Sequence, residues 1–431
     1  MKTWNEILEL IEEEDVEFVR LQFTDIFGTL KNVAVTADQF GRLREKRYIF
    51  DGSCVYGEAR EGEEDMFLCP DPDTFVILPW RPQQGKVARL LCDVRRTDGT
   101  FLETSPREIL KRVLRQAEEK GYVFHVDPEC EFFLFHTDEN GIPTTVTHEQ
   151  AGYMDMGPLD LGENARRDIV MTLEEMGFQI EASHHETAPA QHEIDFKYAK
   201  PLAAADQIVT FKSAVRSIAR RFGLHATFMP KPKSGVAGSG MHINFSLYKD
   251  GVNLFADEEA ADGLSQEAGW FTGGIMAHVK AMCAVTNPLV NSYKRLMSGF
   301  EAPGTISWTA KNQNALVRIP FMRGKDTRIE LRFPDPSANP YLTLALCIAA
   351  GLDGIENRME PGVRLEEGAG SPEPMPKTLQ EAVSYMEQDE FVKDILGQEF
   401  VEVYTEVKKA EWNGYISEIS EWEIENYLYR T

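Results

Sequence analysis

Four short stretches of this chain carry side chains of the types that can hold cations and phosphates. They are Asp127-Pro-Glu-Cys-Glu-Phe-Phe133, His184-His-Glu-Thr-Ala-Pro-Ala-Gln-His-Glu193, Gly238-Ser-Gly-Met-His242 and Arg328-Ile-Glu-Leu-Arg332. Each alternates as a strand does, with its polar residues in phase. At period two, Glu129 and Glu131 share one face and Cys130, Phe132 and Leu134 the other. His242, Asn244 and Ser246 oppose Met241, Ile243, Phe245 and Leu247 in the same way, and Arg328, Glu330 and Arg332 oppose Ile329, Leu331 and Phe333. A sheet face bearing carboxylates, an imidazole and guanidiniums is costly to build for stability alone. Divalent metals and phosphates require such a face.

Helices and turns must position these strands. Thr3 and Glu6 form a capping box ahead of the apolar stripe Trp4, Ile7, Leu8 and Ile11, which predicts an opening helix. Val16–Phe23 and Thr29–Val35 read as strands joined by a turn at Asp25–Gly28. Ser105-Pro106-Arg107-Glu108 starts a fresh helix with Pro at its first position, and Gly121 ends it. The boundary between a small α+β domain, residues 1–103, and a larger one, residues 104–431, is placed there. A long amphipathic helix is expected over Ala205–Phe222, stopped by Gly223. Residues 361–376 read as a surface loop and the last sixty residues as acidic helices. The turn Gly235-Val-Ala-Gly-Ser-Gly240 lacks the Lys-Ser/Thr ending of a phosphate-binding P-loop.

Bulk properties narrow the field. The chain has 431 residues and a formal net charge of −25, which argues against nucleic-acid or anionic-membrane partners. Its six cysteines are scattered with no CxxC pair, so thiols in a reducing compartment are expected. No signal-peptide pattern and no membrane-length apolar run is present, so a soluble, cytoplasmic protein is expected.

At these residues the chain resembles the type I glutamine synthetases, in the Gram-positive branch of that family. Further matches are Phe50-Asp-Gly-Ser53, Asn291-Ser-Tyr-Lys-Arg-Leu296, Phe300-Glu-Ala-Pro303, Val317-Arg-Ile-Pro320 and Asp335-Pro-Ser-Ala-Asn-Pro-Tyr341, spread over nearly the whole length. The resemblance implies an α+β protein with a small N-terminal β-grasp domain and a large catalytic domain built on a curved antiparallel sheet. It implies an enzyme of nitrogen assimilation that phosphorylates the γ-carboxylate of glutamate with ATP. Ammonia then displaces phosphate, giving glutamine, ADP and phosphate.

The same resemblance assigns roles. Glu131, Glu186 and Glu193 would hold one divalent ion, and Glu129, His242 and Glu330 a second at the nucleotide. Oxygen ligands with one imidazole suit Mg²⁺ or Mn²⁺, with two or more ions per site. Gly238, Arg295, Glu301 and Arg332 would meet substrate, and Asn244, Ser246, Lys325 and Arg328 the ATP. Arg318 would neutralise the transferring phosphoryl group. Asp51 would help deprotonate ammonium from the neighbouring subunit, and Glu301, on a flap, would take the second proton. Arg60 matches an arginine used in feedback inhibition by glutamine. Without the family match, Asp51 is an ordinary Asp-Gly turn residue. Lys325 reads equally as a nucleotide contact or as a solvated lysine. His184 and His185 read equally as core histidines or as side chains orienting Glu186.

The chain departs from the family pattern at Gln313, where an arginine is usual, and at Ala237, where asparagine is usual. Two alternatives therefore stand beside glutamine synthesis: γ-glutamyl ligation to another amine, and a low-activity regulatory paralogue. The family's assembly implies a homo-oligomer, a dodecamer of two stacked hexameric rings.

Overall fold

The computed structural model describes residues 2–43, 47–57, 64–81, 84–260, 262–311, 314–367 and 371–430. It is an α+β protein with two sheets. The opening helix spans Trp4–Glu13, and its capping box is formed: Glu6 N–H donates to Thr3 Oγ1 at 3.3 Å and Thr3 N–H to the Glu6 carboxylate at 2.6 Å. Ile7 and Ile11 pin it to the first sheet. That sheet has six strands, ordered Leu30–Thr36, Val16–Thr24, Lys86–Arg96, Asp65–Pro70 and Tyr48–Asp51, with Val76–Ile77 also pairing to Lys86–Arg96. The predicted turn is real. The Asp25 carboxylate accepts the N–H of Phe27 at 3.0 Å and of Thr29 at 2.8 Å, and Gly28 takes φ +85°.

The second sheet has nine strands. Its central path runs Trp308–Thr309, Val317–Arg318, Ile329–Leu331, Met241–Lys249, Val123–His136, Gln191–Phe196 and Ile180–His185. All neighbours are antiparallel except the first two, which are parallel. One face is apolar and covered by helices. Phe132 meets Phe211 of the helix Pro201–Ala219 edge-on at 5.9 Å between ring centres, and Phe228 at 5.8 Å.

Two helices, Gln266–Thr286 and Pro340–Asn357, cross behind the sheet at bare backbone. A Cβ on Gly274 would meet Ala350 O at 2.1 Å, and one on Gly354 would meet Trp270 O at 2.1 Å. The two sheets are tied by Arg107, buried on the helix Pro106–Glu119. It donates to Asp93 at 2.6 Å and Asp71 at 2.7 Å on one side and to Asp206 at 3.0 Å on the other.

Three expectations are adjusted. The 184–193 stretch is not one strand but a hairpin, and Glu186 sits at the start of its turn. Pro189 lacks an N–H and Ala190 takes φ +69°, so the ladder breaks there. The last acidic stretch forms a strand only over Ile329–Leu331. The long helix begins earlier, at Pro201, and gives way at Arg220–Phe222 to a 3₁₀ turn that Gly223 ends at φ +70°. Among the described residues, no helix is long and apolar enough to cross a membrane.

Candidate active site

Register brings the polar face together. His242 stands opposite Glu129, Glu131 opposite Glu193, Asn244 opposite both Asp127 and Glu330, and Arg318 opposite Glu330. The result is a cleft of about 510 Å³. Its lining includes Glu129, Glu131, Glu186, Glu193, Gly238, His242, Arg295, Glu301, Arg318, Glu330 and Arg332, so eleven of the sequence-predicted positions share one cavity.

Glu129, His242 and Glu330 form a compact donor set. His242 Nδ1 lies 3.4 Å from Glu129 Oε2 and 3.7 Å from Glu330 Oε1. One donor atom from each falls within 4.8 Å of the other two. Burial, then the Arg332 charge, holds His242 well below the usual histidine range, so the ring is neutral and a lone pair is free to ligate. Glu131, Glu186 and Glu193 line the same cleft without closing to one such set among the described residues. Glu193 gathers instead with His184 and Asp195. Burial, followed by the Glu186 charge, lifts Glu131 to about 8, against the pull of Arg295. Glu193 is raised by burial and then by Asp195 and its other acidic neighbours. Carboxylates that push one another upward in this way are the environment a divalent cation reverses. Hard oxygen donors with one neutral imidazole fit Mg²⁺ or Mn²⁺.

The cations around them are held differently. Glu330 is fully buried between Arg318, whose Nε donates to it, and Arg332, whose Nη1 donates at 2.6 Å. Arg332 keeps its Nε–H unpaired. The Arg295 head is fixed on backbone carbonyls, Phe333 O and Arg332 O, each at 3.0 Å. Glu301 sits at φ +54°, a left-handed backbone unusual outside glycine. Thr187 Oγ1 donates to its carboxylate at 3.2 Å, and its carbonyl accepts from Arg332 at 3.4 Å. Gly238 runs against Pro230, whose carbonyl would lie 2.2 Å from an added Cβ. Ala237 packs in a small apolar cluster with Phe133, Phe135, Ala188 and Ala190.

A polar row leads away from the donor set. Asn244 Nδ2 donates to Glu129 at 2.8 Å while its Oδ1 accepts Arg328 Nε at 3.2 Å. Ser246 Oγ donates to Thr327 O at 3.3 Å, and Lys325 stands exposed on the short turn Gly324–Asp326. Asp51 lies elsewhere. It is exposed at the far edge of the first sheet, accepts Ser53 N–H at 2.9 Å, and does not line this cleft. Arg60 and Gln313 fall outside the described residues.

His184 and His185 resolve into two functions. His184 Nε2 bonds Glu186 Oε1 at 2.9 Å and so orients that carboxylate. His185 is fully buried between Glu149 Oε1 and the Glu186 carbonyl, both at 2.6 Å, and both ring nitrogens therefore donate. Burial opposes the charged form of His185, but its bond to Glu149 outweighs this and raises its pKa. Glu149 also accepts N–H groups from Leu161 and Ala190, and its carboxyl falls to about 2 despite burial, chiefly through His185. Arg166 bridges Asp160 at 2.7 Å to His192 Nδ1 at 2.9 Å beside this pair.

Sequence reading missed Glu149, Asp160 and Arg166, which no local pattern flags. It also missed Gln191, whose Nε2 donates to Glu131 at 2.7 Å and to Gly238 O at 3.1 Å. Asp127 and Asp195 were within reach of the alternation rule, being in phase with Glu129 and Glu193. Burial and neighbouring carboxylates lift them to about 8 and about 6.

Comparison with known proteins bears on this geometry. Residues 15–97 match the model of the glutamine synthetase beta-Grasp domain, and residues 103–427 that of the glutamine synthetase catalytic domain. A glutamine synthetase from Clostridium saccharobutylicum is 54% identical over 99% of this chain and 98% of its own. One from Staphylococcus aureus is 50% identical over the same shares. A solved structure described as a GmaS/ADP complex superposes with a TM-score of 0.89 at 34% identity, covering 98% of this chain and 99% of its own. An alternating acidic sheet face, the cleft it lines and full-length similarity on both sheets converge on one conclusion: this chain belongs to the glutamine synthetase family, with the β-grasp and catalytic domains of its type I members.

Proposed function

We propose that this enzyme ligates ammonia to the γ-carboxylate of L-glutamate, using ATP to form γ-glutamyl phosphate and releasing glutamine, ADP and phosphate. The observation that carries the reading is a single cleft lined by six metal-donor side chains and by Arg295, Arg318 and Arg332. A carboxylate is a poor electrophile, and phosphoryl transfer needs this pairing of carboxylate-held metals with guanidiniums. Glu129, His242 and Glu330 would hold one Mg²⁺ or Mn²⁺, and Glu131, Glu186 and Glu193 another. Bound there, the metals would neutralise phosphate charge.

The remaining steps belong to the chain. Arg332, with its unpaired Nε–H, and Arg295 attract the glutamate carboxylates, while the bare backbone at Gly238 lets the amino acid lie against the strand. Asn244, Ser246, Arg328 and Lys325 line the nucleotide's path. Arg318 stabilises charge on the transferring phosphoryl group. Glu301 closes the site against water, and its carboxylate accepts a proton from the attacking nitrogen. Asp51 is outside the cleft of its own chain, which fits action on a neighbouring subunit, where it would take a proton from ammonium. The reading includes two domains, residues 1–103 and 104–431, a dodecamer of two hexameric rings, a cytoplasmic location and direct glutamine inhibition through Arg60.

A second reading, ligation to a different amine, draws on Ala237. Its apolar packing removes an amide from the approach to the cleft. Phosphate release from ATP, measured with Mg²⁺ or Mn²⁺, with and without glutamate, against ammonium and a panel of amines, separates the two. Release requiring glutamate and ammonium supports glutamine synthesis. Release only with another amine reassigns the acceptor, and ATP binding without release favours a regulatory paralogue.

A further inference from the structure

A second recess lies behind the cleft. It encloses about 710 Å³ between the first sheet and the catalytic domain. Arg20, Gln22 and Asn32 form one wall, with Gln22 and Asn32 cross-strand partners. The helix Pro201–Ala219 forms the other and presents Lys212 and Arg216, one turn apart. Both cations act on the thiol of Cys130, which points away from Glu129 and Glu131. The recess is therefore on the reverse side of the catalytic strand.

The charge pattern is unusual for a chain of net charge −25. Among the described residues, Arg20, Lys212 and Arg216 have no carboxylate within ion-pair distance. Lys212 donates only to Ala338 O, at 3.2 Å, and Arg216 lies over the Phe228 ring at 5.1 Å. Asp335 is the carboxylate that acts on Lys212, and its oxygens are taken by Ser337 and Asn287. Like charges at i and i+4 repel, and cations in a protein recess are ordinarily paired. Burial, with Arg216 adding to it, lowers Lys212 to about 8. Both cations are nonetheless reachable from solvent, as a ligand site requires.

We propose that this recess is a binding site, separate from the cleft, for a small molecule bearing a phosphate or carboxylate dianion, gripped by Lys212 and Arg216 from one wall and Arg20 from the other. Guanidinium and ammonium groups are the donors such anions take, and a mixed apolar and polar lining of this size suits a metabolite rather than a lone ion.

The test is isothermal titration of the full-length protein with inorganic phosphate and, separately, with succinate. Mg²⁺, a non-hydrolysable ATP analogue and glutamate fill the cleft, and parallel titrations omit them. Binding that persists with the cleft filled, weakens with added salt and drops at least tenfold in the Lys212→Gln/Arg216→Gln variant is expected. Preference for phosphate or for succinate identifies the anionic group. Removing a like-charge pair should leave the unliganded Tm unchanged or raise it, so lost binding is not lost folding. Arg20→Gln, on the opposite wall, gives an independent loss of several-fold. If neither probe binds, if filling the cleft abolishes binding, or if the variants bind as the wild type does, the site is refuted.

Discussion

At the scale of single residues, the cleft depends on groups one layer behind it. Glu149 is the clearest. Its carboxylate takes a bond from His185 while His185 also holds the Glu186 backbone, so the pair fixes where the turn presents Glu186. Replacing Glu149 with Gln leaves a buried imidazolium unpaired, and a loss of about 3 kcal/mol is expected in urea unfolding at neutral pH. The pH dependence follows from the direction of the shift. The folded carboxyl titrates at about 2 against an ordinary 4.5, so its stabilisation is present above 4.5 and disappears as pH falls through about 2. The stability gap between wild type and Glu149→Gln should therefore close over that acid range. A gap that stays constant would mean the ion pair is not its origin. His184 acts on metal affinity instead. His184→Ala removes the bond that orients Glu186, and Mn²⁺ binding followed by EPR should weaken by about 10- to 100-fold.

At the scale of elements, helix packing reverses an ordinary rule. Glycine inside a helix costs about 1 kcal/mol relative to alanine, so Gly→Ala normally stabilises. The crossing of Gln266–Thr286 and Pro340–Asn357 has no room for a methyl group, since the Gly354 Cβ would meet Trp270 O at 2.1 Å. Gly354→Ala should destabilise by about 1–3 kcal/mol through overpacking, read as a lower urea midpoint. An unchanged or higher midpoint would show that the helices can part without cost. The hairpin 184–193 makes a related point. Its turn takes Glu186 off the strand face, where alternation alone would leave it, and into the cleft beside Glu131.

At the scale of the whole molecule, Asp51 does not line the cleft of its own chain: it ends an edge strand of the first sheet. If a neighbouring subunit supplies it, Asp51→Ala and Glu330→Ala proteins are each inactive but complement when refolded together. Random mixing gives roughly a quarter of sites both intact groups, since each arrives from a sound chain about half the time. Recovery near that level is expected in the phosphate-release assay. Mixed oligomers with no activity would place both groups within one subunit's site, or remove Asp51 from it.

Much of this arrangement is legible in the linear chain because strand geometry is local. Period two puts Glu129 with Glu131 and His242 with Asn244 on one face whatever their partners, and caps and turns such as Thr3–Glu6 and Asp25–Gly28 close over a few residues. Register is not local. That His242 meets Glu129, and Glu131 meets Glu193, is decided by strand order and by the apolar face each strand must bury against the helices. The same long-range packing buries His185 against Glu149, sets Gln191 between Glu131 and Gly238, and brings Arg20 of the first sheet and Lys212 and Arg216 of the helix Pro201–Ala219 to one recess. The residue types on the site face were determined by the sequence itself. Which of them touch, and which second cavity lies behind them, was decided only when the sheets closed, because contacts between distant segments exist only in the packed state.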